Sequence, residues 1–276
     1  MLGTTNLFTR RFLQFAVCGI LSLCAVSLSA RGEPQTNKQD IVKQARQASC
    51  SLRRLGLVEY SATITPNWEL LLKDEIKADP EGAQAGLKLL SGLRFAMTLD
   101  KDGKVNVTHQ SDAPAADEKQ AAAFKQIFDG MDETISGFFA TWEPFMLTSP
   151  FPAAEGDFQL NNVENGYRLI YSEGPTGIVT TMTKDFSITS LVISATDFKS
   201  SIKPRFSKSN LGLVISSYEG VYTPISGPGS THLNVQIDYL DSNGLRLPRK
   251  VTLDGDINGS PFAAELLFSD YKVKVR

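Results

Sequence analysis

Leu233-Asn234-Val235-Gln236-Ile237-Asp238-Tyr239 carries the pattern on which the whole architecture is built. Every second residue is apolar, while Asn234, Gln236 and Asp238 stand between, which is the two-residue period of a strand with one buried face. Outward from this stretch the pattern repeats between turn signals. These are Asn165-Gly166, Gly174-Pro175, Lys184-Asp185, Lys203-Pro204, Ser226-Gly227-Pro228-Gly229, Asn243-Gly244 and Asn258-Gly259, and strands fill the intervals between them. From Phe158 to the last residue the chain therefore reads as one antiparallel β-meander, whose closing phrases are Gly244-Leu245-Arg246-Leu247-Pro248 and Phe268-Ser269-Asp270-Tyr271-Lys272-Val273.

A sheet with one apolar face needs a cover, and the residues before Phe158 supply helices. Ile41, Ala45, Ala48, Leu52 and Leu55 recur at three- and four-residue steps, the stripe of an amphipathic helix that Gly56 can end. Val58 to Thr65 is β-branched and aromatic and stops at Pro66, so a strand follows. Leu93, Phe95, Met97 and Leu99 alternate with polar or small residues, and Asp100-Lys101-Asp102-Gly103 turns the chain into Val105 and Val107, a hairpin.

Between Pro114 and Pro150 the period becomes 3.6: Phe124, Ile127, Phe128, Met131, Ile135, Phe138, Phe139, Trp142 and Phe145 share one helical face. Asp117 and Glu118 suit the positive end of that helix. Gly130 and Gly137 weaken it by about 1 kcal/mol each relative to alanine, a hint of a hinge or a close approach. The aromatic stripe is either ordinary core facing the sheet or one wall of a lipid-sized cavity. On the second reading Met131, Phe138, Phe139, Trp142 and Phe145 bind the ligand. The fold class is α+β: a highly curved antiparallel sheet of roughly nine to eleven strands, too many to stay flat, over amphipathic helices.

Residues 1–30 read as an export signal and 31–276 as a single domain. Arg10 and Arg11 form a positive start, Phe12 to Leu28 an apolar run, and cleavage falls after Ala30 or after Ser29. Gln14 departs from a twin-arginine signal and Leu23 from a lipoprotein box, which leaves the general secretory route. The expected location is periplasmic or secreted, without stable membrane insertion after cleavage. A formal net charge of −2, more acidic once Arg10 and Arg11 are removed, argues against nucleic acid as a partner. Of three cysteines, Cys18 and Cys24 leave with the signal, and Cys50 is expected to be buried, the alternative being a reactive thiol or an intermolecular disulfide.

Catalytic inventory is thin. There is no G-x-S-x-G, H-E-x-x-H, C-x-x-C, Walker loop or G-x-G-x-x-G. His109 and His232 both stand at expected strand ends, where solvated histidine is the ordinary case. Asp254, Asp256, Asn258, Gly259 and Glu265 fit the spacing of a calcium loop. The flanking segments are strand-like where such a loop needs helices, however, and Pro261 stands inside it, so a plain β-hairpin of good turn formers is the preferred reading. No metal and no cofactor is expected.

Three phrases in order, Phe206 to Ser217 with its strand Gly212-Leu213-Val214-Ile215, Tyr239 to Pro248, and Phe268 to Val273, resemble the outer-membrane lipoprotein carrier superfamily, the LolA/LolB-like proteins. They cover the C-terminal third. The resemblance implies an incomplete β-barrel around helices, an apolar cavity that shelters acyl chains, and a lid or plug formed by the helix from about residue 117 to 143. It carries over no ligand-binding residue. The expectation is thus an exported, non-catalytic binding protein for a lipid or the acyl part of a lipoprotein. An envelope structural or interaction protein with a filled core is the alternative, and an exported hydrolase the third.

Overall fold

The first and last strands of the chain pair with each other. In the computed structural model, which describes residues 35–276 except 113, 114, 116 and 228, β1 (Leu57–Pro66) lies antiparallel to β12 (Ser260–Val275) with Ile64 opposite Phe268. The export signal read at residues 1–30 lies outside the described residues. On one side of this pair β1 continues to β2 (Leu93–Leu99) and β3 (Val105–Ser111). On the other, β12 continues backwards along the chain through β11 (Leu245–Ile257), β10 (Thr231–Ser242), β9 (Gly212–Pro224), β8 (Phe198–Ser209), β7 (Ile188–Ser194), β6 (Thr176–Thr183), β5 (Gly166–Glu173) and β4 (Phe158–Val163). The result is one twelve-stranded antiparallel sheet whose edges, β3 and β4, are not paired to each other. The chain passes from one edge to the other through α5 (Glu118–Met146).

The hairpins show how local chemistry sets the register. Asn243 and Gly244, and again Asn258 and Gly259, both have positive φ, which is what a two-residue turn matched to strand twist requires. They bring Ser242 opposite Leu245 and Ile257 opposite Ser260. The calcium pattern is thereby accounted for as a hairpin. Asp256 Oδ1 accepts from Gly259 N, while Glu265 accepts from Asn67 and lies near Lys250. Glu265 stands five residues along β12 from Ser260, where the turn ends, about 17 Å at the strand rise, too far from the turn residues for one coordination sphere. Among the described residues no group of three or more His, Cys, Asp or Glu is placed to hold a metal ion.

Two sequence expectations are corrected. Lys203-Pro204 is not a turn: both lie inside β8, with Pro204 opposite Tyr218 and the register shifting between Arg205 and Phe206. A ladder irregularity is where proline can stand within a sheet. The first helix, α1, covers Gln35–Ala48 and does not reach Leu55. Beyond it the amide of Cys50 goes to the Leu213 carbonyl at 3.0 Å and that of Leu52 to the Met146 carbonyl at 2.8 Å. Tertiary backbone pairing thus takes over from the helical ladder. The segment between β1 and β2 folds as three short helices, α2 (Trp68–Leu71), α3 (Lys73–Ala78) and α4 (Pro80–Leu90), of which only Leu90 is buried.

α5 starts at Asp117, whose side chain accepts from Gln120 N at 2.8 Å, the capping interaction that satisfies an orphan N–H. Its buried residues are Met131, Ile135, Phe138, Phe139, Thr141, Trp142, Phe145 and Met146, and they join the one hydrophobic core formed with the sheet. Gly137 marks no close approach, since a Cβ added there would meet nothing within 4 Å. Gly137→Ala is therefore expected to stabilise the protein by about 0.5–1 kcal/mol through helix propensity and reduced unfolded-state entropy, read from the urea midpoint. A loss of stability would show that the position must bend.

Candidate functional site

α5 packs against the apolar face of the sheet. Strand parity sends Leu93, Phe95, Met97 and Leu99 of β2, Val235 and Ile237 of β10, and Ile178, Thr180 and Met182 of β6 to that face. The five residues expected to line a ligand site are all buried there, from 6% exposure at Met131 to 0% at Phe139 and Trp142. Three are brought together. Phe138 and Phe139 meet at 4.9 Å between ring centroids, Phe139 and Trp142 at 5.7 Å, and both phenylalanines touch Phe268 of β12. Phe145 turns away to Phe206 of β8 at 6.0 Å.

A second, more open aromatic group lies nearer the start of α5. Phe128 stacks on His109 of the edge strand β3 at 3.9 Å and 12°, and Phe95, Phe124 and Trp68 extend the chain of rings. The His109 ring nitrogen Nδ1 is 3.2 Å from Asp132 Oδ2. His109 thus contributes to the docking of α5 on the sheet edge, while His232, exposed at the start of β10, lies beside Ser230 Oγ at 3.0 Å.

Polar groups are threaded through the same interface, and sequence reasoning missed them. Trp142 Nε1 donates to Tyr239 Oη at 3.0 Å, and that hydroxyl donates to the Ile215 carbonyl at 2.7 Å. Thr141 Oγ1 and Tyr222 Oη share a hydrogen bond of 3.0 Å. Tyr271 donates to the Pro248 carbonyl and Tyr171 to that of Pro150. Burial pushes the phenols of Tyr60, Tyr171, Tyr218, Tyr222, Tyr239 and Tyr271 above their ordinary range, so they stay neutral donors. The Tyr60 and Ser200 hydroxyls are buried without a hydrogen-bond partner, while the Thr180 hydroxyl lies beside the Tyr171 phenol. An unpaired buried polar group costs about 1–3 kcal/mol. The available signal was strand parity, which already sends Tyr239 and Thr180 inward.

Cys50 is fully buried, and burial raises its thiol to about 11 against the weaker pull of Arg54 and Arg246. It is held as an unreactive thiol at neutral pH. The α5 carboxyls behave alike. Burial raises Asp132, opposed by His109, and burial raises Glu143, opposed by Arg53. A carboxyl whose folded-state pKa is raised favours folding when protonated, and that contribution is lost as pH rises through the folded value. Asp132→Asn keeps the shape and cannot ionise, so its melting temperature should exceed wild type at pH 7. The difference should disappear below about pH 4, where both side chains are neutral. A lower melting temperature at pH 7 would mean that the His109 contact outweighs desolvation.

No helix among the described residues is long and apolar enough to cross a membrane. Compared with known protein families, with characterised proteins and with solved structures, the chain matches none.

Proposed function

We propose that this protein is an exported, non-catalytic binding protein that holds a lipid or the acyl chain of a lipoprotein between α5 and the inner face of the sheet, in the manner of a LolA/LolB-like half-barrel. The observation that carries this reading is the placement of α5. An aromatic-faced helix, not a strand, links the two unpaired edges and lies against the apolar face. Between Phe128 and Phe145, about 26 Å of helix axis, it touches β3, β12, β10, β9 and β8 through Phe128, Phe138, Trp142, Thr141 and Phe145. In a flat sheet the strands from β3 to β8 would span about 34 Å. Contact with strands so far apart in the sheet supports an oblique helix over a sheet curved toward it, the half-barrel of this reading. Partly buried Trp68, Phe124 and Phe128 provide an apolar approach from outside.

The alternative, a structural or interaction protein with a filled core, is favoured by one observation: Phe138 and Phe139 contact each other and both Trp142 and Phe268, and all four are almost fully buried. Mass spectrometry of an organic extract of the natively purified, exported protein separates the two. A stoichiometric co-purifying lipid is the expected result. Its absence, together with no uptake of an acyl probe by the extracted protein, would leave the structural reading.

A further inference from the structure

We infer that the edge strand β4 is a self-recognition surface, along which two copies of this chain pair antiparallel about a two-fold axis at Asn161. The two edges of the sheet differ in how they are guarded. β3 is engaged by α5, through the stack of His109 on Phe128 and the contact of His109 with Asp132. β4 is hydrogen-bonded on one side only, to β5. Its sequence, Phe158-Gln159-Leu160-Asn161-Asn162-Val163, has no charged residue and no proline, and it pairs with β5 residue for residue without a register shift. Charge, proline and bulges are the devices that keep an edge from recruiting another strand, and β4 has none of them. Its outward N–H and C=O groups are matched in spacing by a second extended strand.

Parity and charge select a second copy as the occupant. Phe158 and Leu160 pack on the core, while Gln159, Asn161 and Val163 are exposed on the outer face. Paired strands keep one face continuous only if residues of like parity stand opposite, since a slip of one residue turns every side chain over. That condition removes the register in which Asp157 would oppose Glu164 of the other copy, a repulsive pair. Among the registers it allows, the one centred on Asn161 places Val163 opposite Gln159 of the other copy. Gln159 heads an outer row across the sheet, through Ile170, Val179 and Val192, whose three apolar members are partly exposed. Within its own chain Val163, 38% exposed, stands opposite Gly166, which has no side chain to cover it; in the pair it extends that apolar row. The nearest cations, Arg168 beside Asn161 in each copy, stand three strand spacings apart, about 14 Å, where salt screens their repulsion. The outer face of β10 to β12 and β1, by contrast, is charged, with the ion pairs Asp238–Lys250, Lys250–Glu265 and Glu59–Lys274. One short strand pair buries less than the ~1,200 Å² of a stable interface, so the dimer is a transient one.

Sedimentation of the exported protein should show monomer at about 1 µM and dimer at about 200 µM, the range of a transient interface. Asn161→Lys sets two ammonium groups opposite each other and should weaken the dimer about fivefold or more, without lowering the melting temperature of the dilute monomer. Should that variant not fold, Asn161→Asp reads the same repulsion. Opposed Cα atoms in antiparallel strands are about 4.5–5.5 Å apart, within disulfide reach. Asn161→Cys should therefore crosslink to itself on oxidation by air with a copper catalyst. Gln159→Cys and Val163→Cys should fail to crosslink separately and succeed when mixed, while Cys50, fully buried, leaves wild type uncrosslinked. Monomer at every concentration overturns the proposal, as does a dimer that Asn161→Lys leaves unchanged. Crosslinking of Gln159→Cys alone as efficiently as Asn161→Cys overturns the register. An open-ended series of oligomers would mean that β4 pairs with β3 of the next copy, and overturns the two-fold arrangement.

Discussion

Phe138→Ala should destabilise the protein by about 3–5 kcal/mol, the loss expected when a large buried ring leaves a cavity that its neighbours only partly fill. Phe138 is 2% exposed and lies within 4.9 Å of Phe139 and 6.4 Å of both Trp142 and Phe268 between ring centroids. Those neighbours have positions of their own to keep. Trp142 is tied to Tyr239, and Phe268 is set by the β1–β12 register, so collapse into the space is restricted. The experiment also measures the functional question. If ligand space adjoins this ring, extracted protein should lose less stability on substitution while retention of an acyl probe weakens. A loss above about 3 kcal/mol in a protein whose wild type binds no probe would end the lipid-binding reading. Urea melts and probe titrations on the same preparations supply both numbers.

Gly212→Ala should be comparably severe, about 3–5 kcal/mol, for two independent reasons. Its φ of +104° is a conformation that residues with a Cβ rarely adopt, costing roughly 1–3 kcal/mol. An added Cβ would also lie 2.5 Å from the Ala48 carbonyl oxygen and 3.1 Å from Cys50 N, and overpacking of this kind costs about 1–3 kcal/mol. The atoms it would strike are backbone, so no rotamer change relieves the clash. That backbone is the exit of α1, where Cys50 N bonds to Leu213 O, and the substitution should release α1 from β9. Hydrogen exchange at the Cys50 amide should then speed up more than at strand amides of β10 and β11. Wild-type stability in Gly212→Ala would show that α1 can dock by another route.

How much was legible depended on how local the determinant was. The alternation from Leu233 to Tyr239, the Asn243-Gly244 and Asn258-Gly259 turns and the aromatic stripe of α5 all specify structure through neighbours in sequence, and each is present where the pattern places it, while the turn read at Asn165-Gly166 sits one residue earlier because Gly166 already pairs with Val163. Lys203-Pro204 reads as a turn because proline usually punctuates strands. It lies within β8, opposite Tyr218 and one residue before a register shift, the kind of irregular ladder in which a residue without an N–H is tolerated. The Ile41-to-Leu55 stripe reads as one helix, yet its end is decided by Leu213, Met146 and Leu147, whose carbonyls take the amides of Cys50, Leu52 and Arg53. Of the candidate site, the apolar half was legible and the polar half was not. A tyrosine or threonine on an inward strand position announces burial, but not which partner its hydroxyl finds.

Period and turn chemistry act over a few residues, and they suffice to specify an antiparallel, strand-rich chain with one long aromatic helix. Long-range packing settles that β1 closes onto β12, that β3 and β4 stay unpaired to each other, and that the Tyr60 and Ser200 hydroxyls are buried without partners. These are contacts between residues tens to hundreds of positions apart. Their energies depend on which surfaces meet and which polar groups are shut away from water, and no local pattern encodes that.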